Sequence, residues 1–294
     1  MNTELVAGAD REQAVTDEVL ASFDGTTDPR LREVMQSLVR HLHAFARDIR
    51  LTEREWEAAI DFLTRAGHIT DDKRQEFILL SDVLGLSMLA VAINEPAVPG
   101  ATEATVFGPF FVDGAPEIPL GGDLARGAAG TPCYVSGQVR SADGSPLAGV
   151  RLDVWGADED GFYDVQYPGD GFAGRGWLRT APDGTYRFWT VLPTPYPIPH
   201  DGPVGDLLSA AGRGPMRPAH LHFKAAAPGH GPLITHIFVA GDPYLASDAV
   251  FGVKDSLIVE AEHHTGGAAP DGTRPQGVWT SMTFDLVLVS DDVS

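Results

Sequence analysis

The sequence predicts an α+β protein, with an N-terminal helical domain over 1–100 followed by an antiparallel β-sandwich over 101–294. Three observations carry this. From Arg11 to Asn94 the periodic segments hold almost no Gly or Pro, and apolar residues recur at helical spacing, as in Leu38, Leu42 and Phe45 or Ile60 and Leu63. At "EPAVPGATEAT" the composition turns rich in Gly, Pro, Val and Thr. Beyond it come short alternating runs bounded by turn residues, the pattern of strands.

The helical half divides into helices near 30–49, 52–66 and 71–93. "TEREW" supplies a start signal, with Thr52 as N-cap and Glu55 as its capping-box partner. The apolar stretch "ILLSDVLGLSMLAVAI" is interrupted by Asp82 and is short of the roughly 20 residues a membrane span needs, so it reads as a buried helix. In the β half, the strand-like runs are YVSGQV, VRLDVWGA, TYRFWTV, AHLHFKA, ITHIFVA and WTSMTFDLVLV. The Asp-Gly pairs in "SADGSP" and "APDGTY" suit hairpins or tight turns. The Gly/Pro-rich stretch at 193–218 is too long for a simple connection, and loops of that length are usually functional or disordered.

Composition narrows the function. With 21 basic against 41 acidic residues the formal charge is −20, which repels phosphate backbones and anionic lipid surfaces and makes nucleic acid an unsuitable partner. A hydrophobic content of 43% supports a real core. The opening "MNTELVAGADREQ" lacks a basic stretch followed by an apolar one, so a cytosolic location is expected. One cysteine, Cys133, excludes an internal disulfide and a Cys-rich metal site, and is expected as a small core residue on a strand.

"RPAHLHF" sets His220 and His222 two positions apart. A strand has period two, so both point to one face and could share a metal ion; packed or surface histidines are the other reading. His41 and His43 have the same spacing on a predicted helix, where such residues do not face each other. Tyr163 and Tyr196 lie in Gly/Pro-rich segments rather than in alternating strands, unlike Tyr134 and Tyr186. Taken singly, each reads as a packed or surface ring.

The β half resembles the intradiol ring-cleaving dioxygenases, most closely those acting on hydroxyquinol. The resemblance rests on "VFGPFFVDGAP", "DEDGFYDVQYPG", "RGWLRTAPDGTYRFWTVLPTPYPIPHDGPVGDLL", "RPAHLHF" and "THIFVAGDPYLASDAVFG", and covers nearly the whole chain. It implies that Tyr163, Tyr196, His220 and His222 bind one non-haem Fe(III), making 101–294 the catalytic domain and 1–100 a dimerisation domain. Phenolate suits such an ion, being a hard anionic donor, whereas zinc with two histidines usually takes a carboxylate or thiolate. The implied substrate is hydroxyquinol with O2, opened to a diacid, and Tyr196 is the ligand that leaves and accepts a substrate proton. Arg217 would stabilise developing negative charge, because a guanidinium is permanently charged and has a fixed donor fork. His236 stands where catechol-cleaving relatives commonly have glutamine, and is taken as a catalytic residue.

The implied substrate pocket comprises Leu79, Asp82, Val106, Phe107, Gly108, Pro109, Ile198 and Val250. Asp82 is out of character in its apolar run, and is expected to face the extra hydroxyl of hydroxyquinol. Family members also dimerise through the N-terminal helices around a channel that can hold phospholipid, and the apolar content of the helices here suits an interface. Catechol or chlorocatechol cleavage is the rival within the class. From another class, "VSGQVRSADGSPLAGVRLDVW" resembles prealbumin-like sandwiches that serve as non-catalytic binding modules.

Overall fold

A computed structural model describes residues 2–71, 74–95, 98–169 and 171–293. Residues 72–73 of the expected third helix and 96–97 of the composition change lie outside them. Two compact units emerge, Met1–Thr64 and Arg65–Ser294. This division differs from the 1–100 and 101–294 expected, because the apolar helices after residue 75 fold with the sandwich.

The first unit holds α1 (Asn2–Ser22), α2 (Pro29–Asp48) and the start of α3 (Glu53–Ile69). Asp28 caps α2, its carboxylate accepting from the amides of Arg30 and Leu31, and Pro29 occupies the first turn where its missing N–H is not needed. The capping box at α3 forms as expected. Thr52 N donates to Glu55 Oε2 at 2.9 Å, and Glu55 N donates to Thr52 Oγ1 at 3.3 Å. His41 and His43 form no site, and His43 Nδ1 instead pairs with Thr16 Oγ1 at 3.0 Å.

The expected helix at 71–93 is two helices, α4 (Glu76–Val83) and α5 (Leu86–Asn94), bent by 75°. The break falls at Gly85, whose φ of 74° lies in the left-handed region that glycine enters without steric penalty. No single helix among the described residues is long and apolar enough to cross a membrane.

The sandwich is built from two five-stranded sheets. One contains β1 (Pro132–Ser141), β4 (Thr185–Val191), β10 (Glu262–His264), β11 (Trp279–Thr283) and β12 (Leu286–Leu288). The other runs β3 (Arg175–Arg179), β2 (Arg151–Gly156), β7 (His220–Ala226), β8 (Leu233–Val239) and β9 (Ile258–Val259). The sheets are mixed rather than purely antiparallel, since β1 pairs in parallel with β11 and β12, and β8 with β9. Those parallel partners arrive through long connections, which parallel pairing requires.

Six strands expected from alternation are present, with the WTSMTFDLVLV run split into β11 and β12. The Asp-Gly turns follow β1 and β3, with Gly144 and Gly184 at positive φ. Val135, Leu152, Phe188 and Phe223 are fully buried in the core between the sheets. Cys133 is buried there on β1 as expected. The stretch at 193–218 is ordered as β5 (Tyr196–Pro197), α6 (Pro203–Ala210) and β6 (Met216–Arg217), where a loop was expected.

Candidate metal centre

Three elements bring the donor atoms together. His220 and His222 share one face of β7, as period two dictates. Tyr196 and Arg217 are opposite partners in the short β5–β6 ladder, so one pairing sets both beside β7. Tyr163 lies at the end of the "DEDGFY" loop, and a 3-10 turn at Asp164–Gln166 follows it. That turn is fixed by Arg175 on β3, which is buried, ion-paired with Asp164, and donates from Nη1 to Phe110 O at 2.8 Å. Two glycines make room. A Cβ at Gly161 would lie 2.6 Å from Tyr196 Cβ, and one at Gly108 would lie 3.2 Å from His222 Cε1, and both have positive φ.

The four donors form a connected set. Tyr163 Oη lies 3.0 Å from Tyr196 Oη and 2.9 Å from His222 Nε2, and Tyr196 Oη lies 3.4 Å from His220 Nε2. Each histidine is oriented from behind. His220 Nδ1 is 2.6 Å from Pro218 O, and a carbonyl only accepts, so Nδ1 carries the proton and Nε2 keeps its lone pair. His222 Nδ1 faces His236 Nε2 at 2.7 Å, and His236 Nδ1 faces Thr105 Oγ1 at 2.9 Å. Trp155 stacks on the His222 ring with centroids 4.6 Å apart.

Among the described residues, ring nitrogens of His220, His222 and His236 lie within 4.8 Å of one another. Two donor sets are therefore available, three imidazoles or two imidazoles with two phenols. The second fits better. The Nε2 atoms of His220 and His222 face the two phenols, whereas His236 Nε2 faces His222 Nδ1 and its Nδ1 faces Thr105, so His236 could bind a metal only by abandoning Thr105 or His222. Its position behind His222 is that of a residue that fixes a ligand's tautomer and orientation.

Electrostatics of the buried set agree with a cation. Burial, then the positive charge of Arg217, lowers His220 to about 3, and burial holds His222 and His236 well below their ordinary value, so all three rings are neutral lone-pair donors. Burial also pushes both phenols up. For Tyr163 the neighbouring Tyr196 adds to the rise, while for Tyr196 the Arg217 charge opposes it. Only a strong positive charge at the centre would ionise both.

Beside this centre, one small cavity brings together Leu79, Asp82, Val106, Gly108, Pro109, Ile198 and Val250 with Tyr196 and Arg217. Phe107 is the one expected pocket residue absent from that lining. Its ring packs against Phe111 and Trp155 instead, at centroid distances of 4.8 and 5.8 Å. Phe110 and Pro199 complete the wall and were not foreseen, although "VFGPFF" presents Phe110 three residues past Phe107. The wall residues Leu79, Pro109, Phe110, Ile198 and Pro199 are shared with an outer cleft of about 800 Å³. Asp82 is buried, with the pocket wall raising its pKa through desolvation and Ser87 and Arg217 opposing the rise.

Residues 107–290 match the family model described as Dioxygenase, and 28–102 match the one described as Catechol dioxygenase N terminus. The chain is 60% identical to hydroxyquinol 1,2-dioxygenase of Nocardioides simplex over 95% of both chains. It is 57% identical to the enzyme of that name from Rhodococcus opacus, over 96% of this chain and 95% of the relative. Among solved structures, hydroxyquinol 1,2-dioxygenase from Pseudomonas putida DLL-E4 superposes with a TM-score of 0.90 at 45% identity, over 96% of this chain and all of that one. Catechol 1,2-dioxygenase from Acinetobacter sp. ADP1 gives 0.80 at 31%, over 95% and 93%.

Proposed function

This chain belongs to the intradiol ring-cleaving dioxygenase family, and we propose that it opens hydroxyquinol with O2 between the two adjacent hydroxyl-bearing carbons, giving 3-hydroxy-cis,cis-muconate or its tautomer maleylacetate. One ferric ion is held by Tyr163, Tyr196, His220 and His222. The observation that carries the reading is the convergence of these two phenols and two outward-tied imidazoles, with no carboxylate among them. A non-catalytic sandwich module has no use for that set.

When bound, the ferric ion supplies a Lewis acid that stabilises the ionised oxygens of the diol and makes the ring reactive towards O2. The protein does the rest. Substrate must lose protons to bind as an anion, and Tyr196 Oη accepts one of them while Tyr163, His220 and His222 remain as anchors. His236 holds His222 with Nδ1–H directed to itself, which keeps Nε2 free for the metal. Arg217 places a permanent charge beside Tyr196 and the ring oxygens, where negative charge develops. Leu79, Val106, Pro109, Ile198 and Val250 wall the ring with apolar surface and exclude water.

Asp82 favours hydroxyquinol over catechol and chlorocatechols as the substrate. It is the one carboxylate of the cavity lining, and a polar partner there suits a substrate with one more hydroxyl. The helices carry a second role. On α2, Leu31, Val34, Leu38, Leu42 and Phe45, with Ile49 at its C-cap, form an exposed stripe at helical spacing, which supports a homodimer through the N-terminal helices. A phospholipid at that interface rests on the family resemblance alone.

Iron analysis and an oxygen electrode test the reading together. The purified protein should hold one iron per chain and consume O2 with hydroxyquinol faster than with catechol. Stoichiometric iron with no uptake on either substrate, or no iron at all, removes the dioxygenase reading.

A further inference from the structure

The carboxylate that controls Arg217 is Asp248, a residue to which nothing in the sequence motifs gives a role. Arg217 is fully enclosed, and Asp248 holds it along one edge of its planar fork. Nε donates to Asp248 Oδ1 at 3.1 Å and Nη2 donates to Oδ2 at 3.4 Å. The opposite edge is turned to the metal centre, with Nη1 3.2 Å from His220 Nε2. A guanidinium gripped on one edge can present only the other.

Asp248 is itself fixed by the backbone that follows it. Its Oδ2 accepts from Gly252 N at 2.8 Å and its Oδ1 from Val250 N at 3.3 Å. Val250 lines the cavity beside the centre. Gly252 packs into the corner between the groups, where a Cβ would meet Arg217 Nη2 at 3.1 Å, Asp248 Oδ2 at 3.2 Å and His236 Nδ1 at 3.8 Å. One carboxylate thus ties the cavity wall to the only cation in the cavity lining. Asp82 lines the same cavity as Arg217.

We propose that Asp248 is a positioning residue for ring cleavage, holding Arg217 by one edge so that the other faces the reacting oxygens. The proposal rests on the hydroxyquinol-cleaving reading given above. It assigns Asp248 no contact with substrate, so its effect must pass through Arg217.

A double-mutant cycle reads this directly, using iron-loaded full-length protein with Asp248→Asn, Arg217→Gln and both changes. Iron content, thermal midpoint and an oxygen-free spectral titration with hydroxyquinol accompany the kinetics. Asp248→Asn keeps the shape and removes the charge, and its single amide oxygen can still accept from Gly252 N, while the amide NH2 can no longer accept from the guanidinium or from Val250 N. It should lower kcat about a hundred-fold, the scale of a misplaced catalytic group, while iron content and oxygen-free affinity stay within about twofold. In the Arg217→Gln background the same change should lower kcat by no more than about twofold, the scatter of independent sites. A similar loss in both backgrounds, an unchanged kcat, or loss of iron or fold in Asp248→Asn makes Asp248 a structural residue and overturns the proposal. Failure of the wild-type protein to consume O2 with hydroxyquinol overturns the functional reading as well, and is seen before any variant is compared.

Discussion

Asp82→Ala should change which substrate the protein prefers. Asp82 sits on α4 at 4% exposure and lines the cavity among Leu79, Val106, Ile198 and Val250. Hydroxyquinol brings one hydroxyl more than catechol into this apolar wall. With Asp82 present the hydroxyl has a partner; with alanine it is buried without one. Leaving a buried polar group unpaired costs about 1–3 kcal/mol, which is roughly ten- to a hundred-fold in rate. Catechol has no hydroxyl there, so it should lose less than about threefold.

A second effect of the substitution must be separated from the first. Removing Asp82 also removes a negative neighbour of Arg217, but that change acts on both substrates alike and cancels in their ratio. The ratio of kcat/KM values for hydroxyquinol and catechol therefore isolates the hydroxyl contact. Initial rates of O2 uptake on preparations matched for iron content measure it. Asp82→Asn, which keeps an acceptor oxygen, should retain most of the preference. Equal losses on both substrates, or none, would sink the reasoning and return discrimination to cavity shape.

Tyr163→Phe should fold, because the ring stacks on Phe110 with centroids 4.5 Å apart and the substitution leaves that contact in place; it should lose iron or most of the visible tyrosinate absorption, and an unchanged spectrum would exclude Tyr163 from the centre. The iron-free protein should lose stability in mild acid. His220 is neutral in the fold down to about 3, while in the unfolded chain it binds a proton below about 6.5, so its contribution is complete above pH 6.5 and is lost as pH falls. At pH 5 the loss from His220 is about 2 kcal/mol, and His222 and His236 act in the same direction. Guanidinium midpoints at pH 7.5 and pH 5 measure it, and equal midpoints would contradict the neutral buried rings. Leu38→Asp with Leu42→Asp on the exposed α2 stripe should convert the dimer to a monomer in light scattering; a wild-type monomer at micromolar concentration would refute the interface.

What could be read from the sequence was local in character. Period two placed His220 and His222 on one face without any knowledge of the fold, and alternation found β1, β2, β4, β7 and β8. Of the strands that were missed, β5, β6 and β9 have two residues each and β10 three, too short for alternation to show, while the five residues of β3 carry no clean alternation. Gly85 was visible in "VLGLSM", yet a uniformly apolar run hid the 75° bend that it permits. Tyr163 and Tyr196 carried no signal of their own and were identified through the family motifs. Asp248 and Thr105 were not legible at all. Their roles come from contacts to Arg217 and His236, 31 and 131 residues away in the chain, which no spacing rule connects.

The two tyrosines differ in their neighbours, and on the proposed reading this difference would make Tyr163 the anchor and Tyr196 the ligand that yields. Burial raises both phenols and the Arg217 charge opposes the rise at both, but Arg217 is the ladder partner of Tyr196 and not of Tyr163. A phenolate whose charge is shared with a guanidinium is the weaker donor, so in the proposed ferric centre Tyr196 would be the ligand that gives way to a bidentate diol. Burial favours the neutral form of Tyr196, so on the proposed reading its oxygen would take up a proton from the incoming substrate. The Asp248 grip then gains a second purpose. By holding Arg217 beside Tyr196, it would keep the two proposed ligands different.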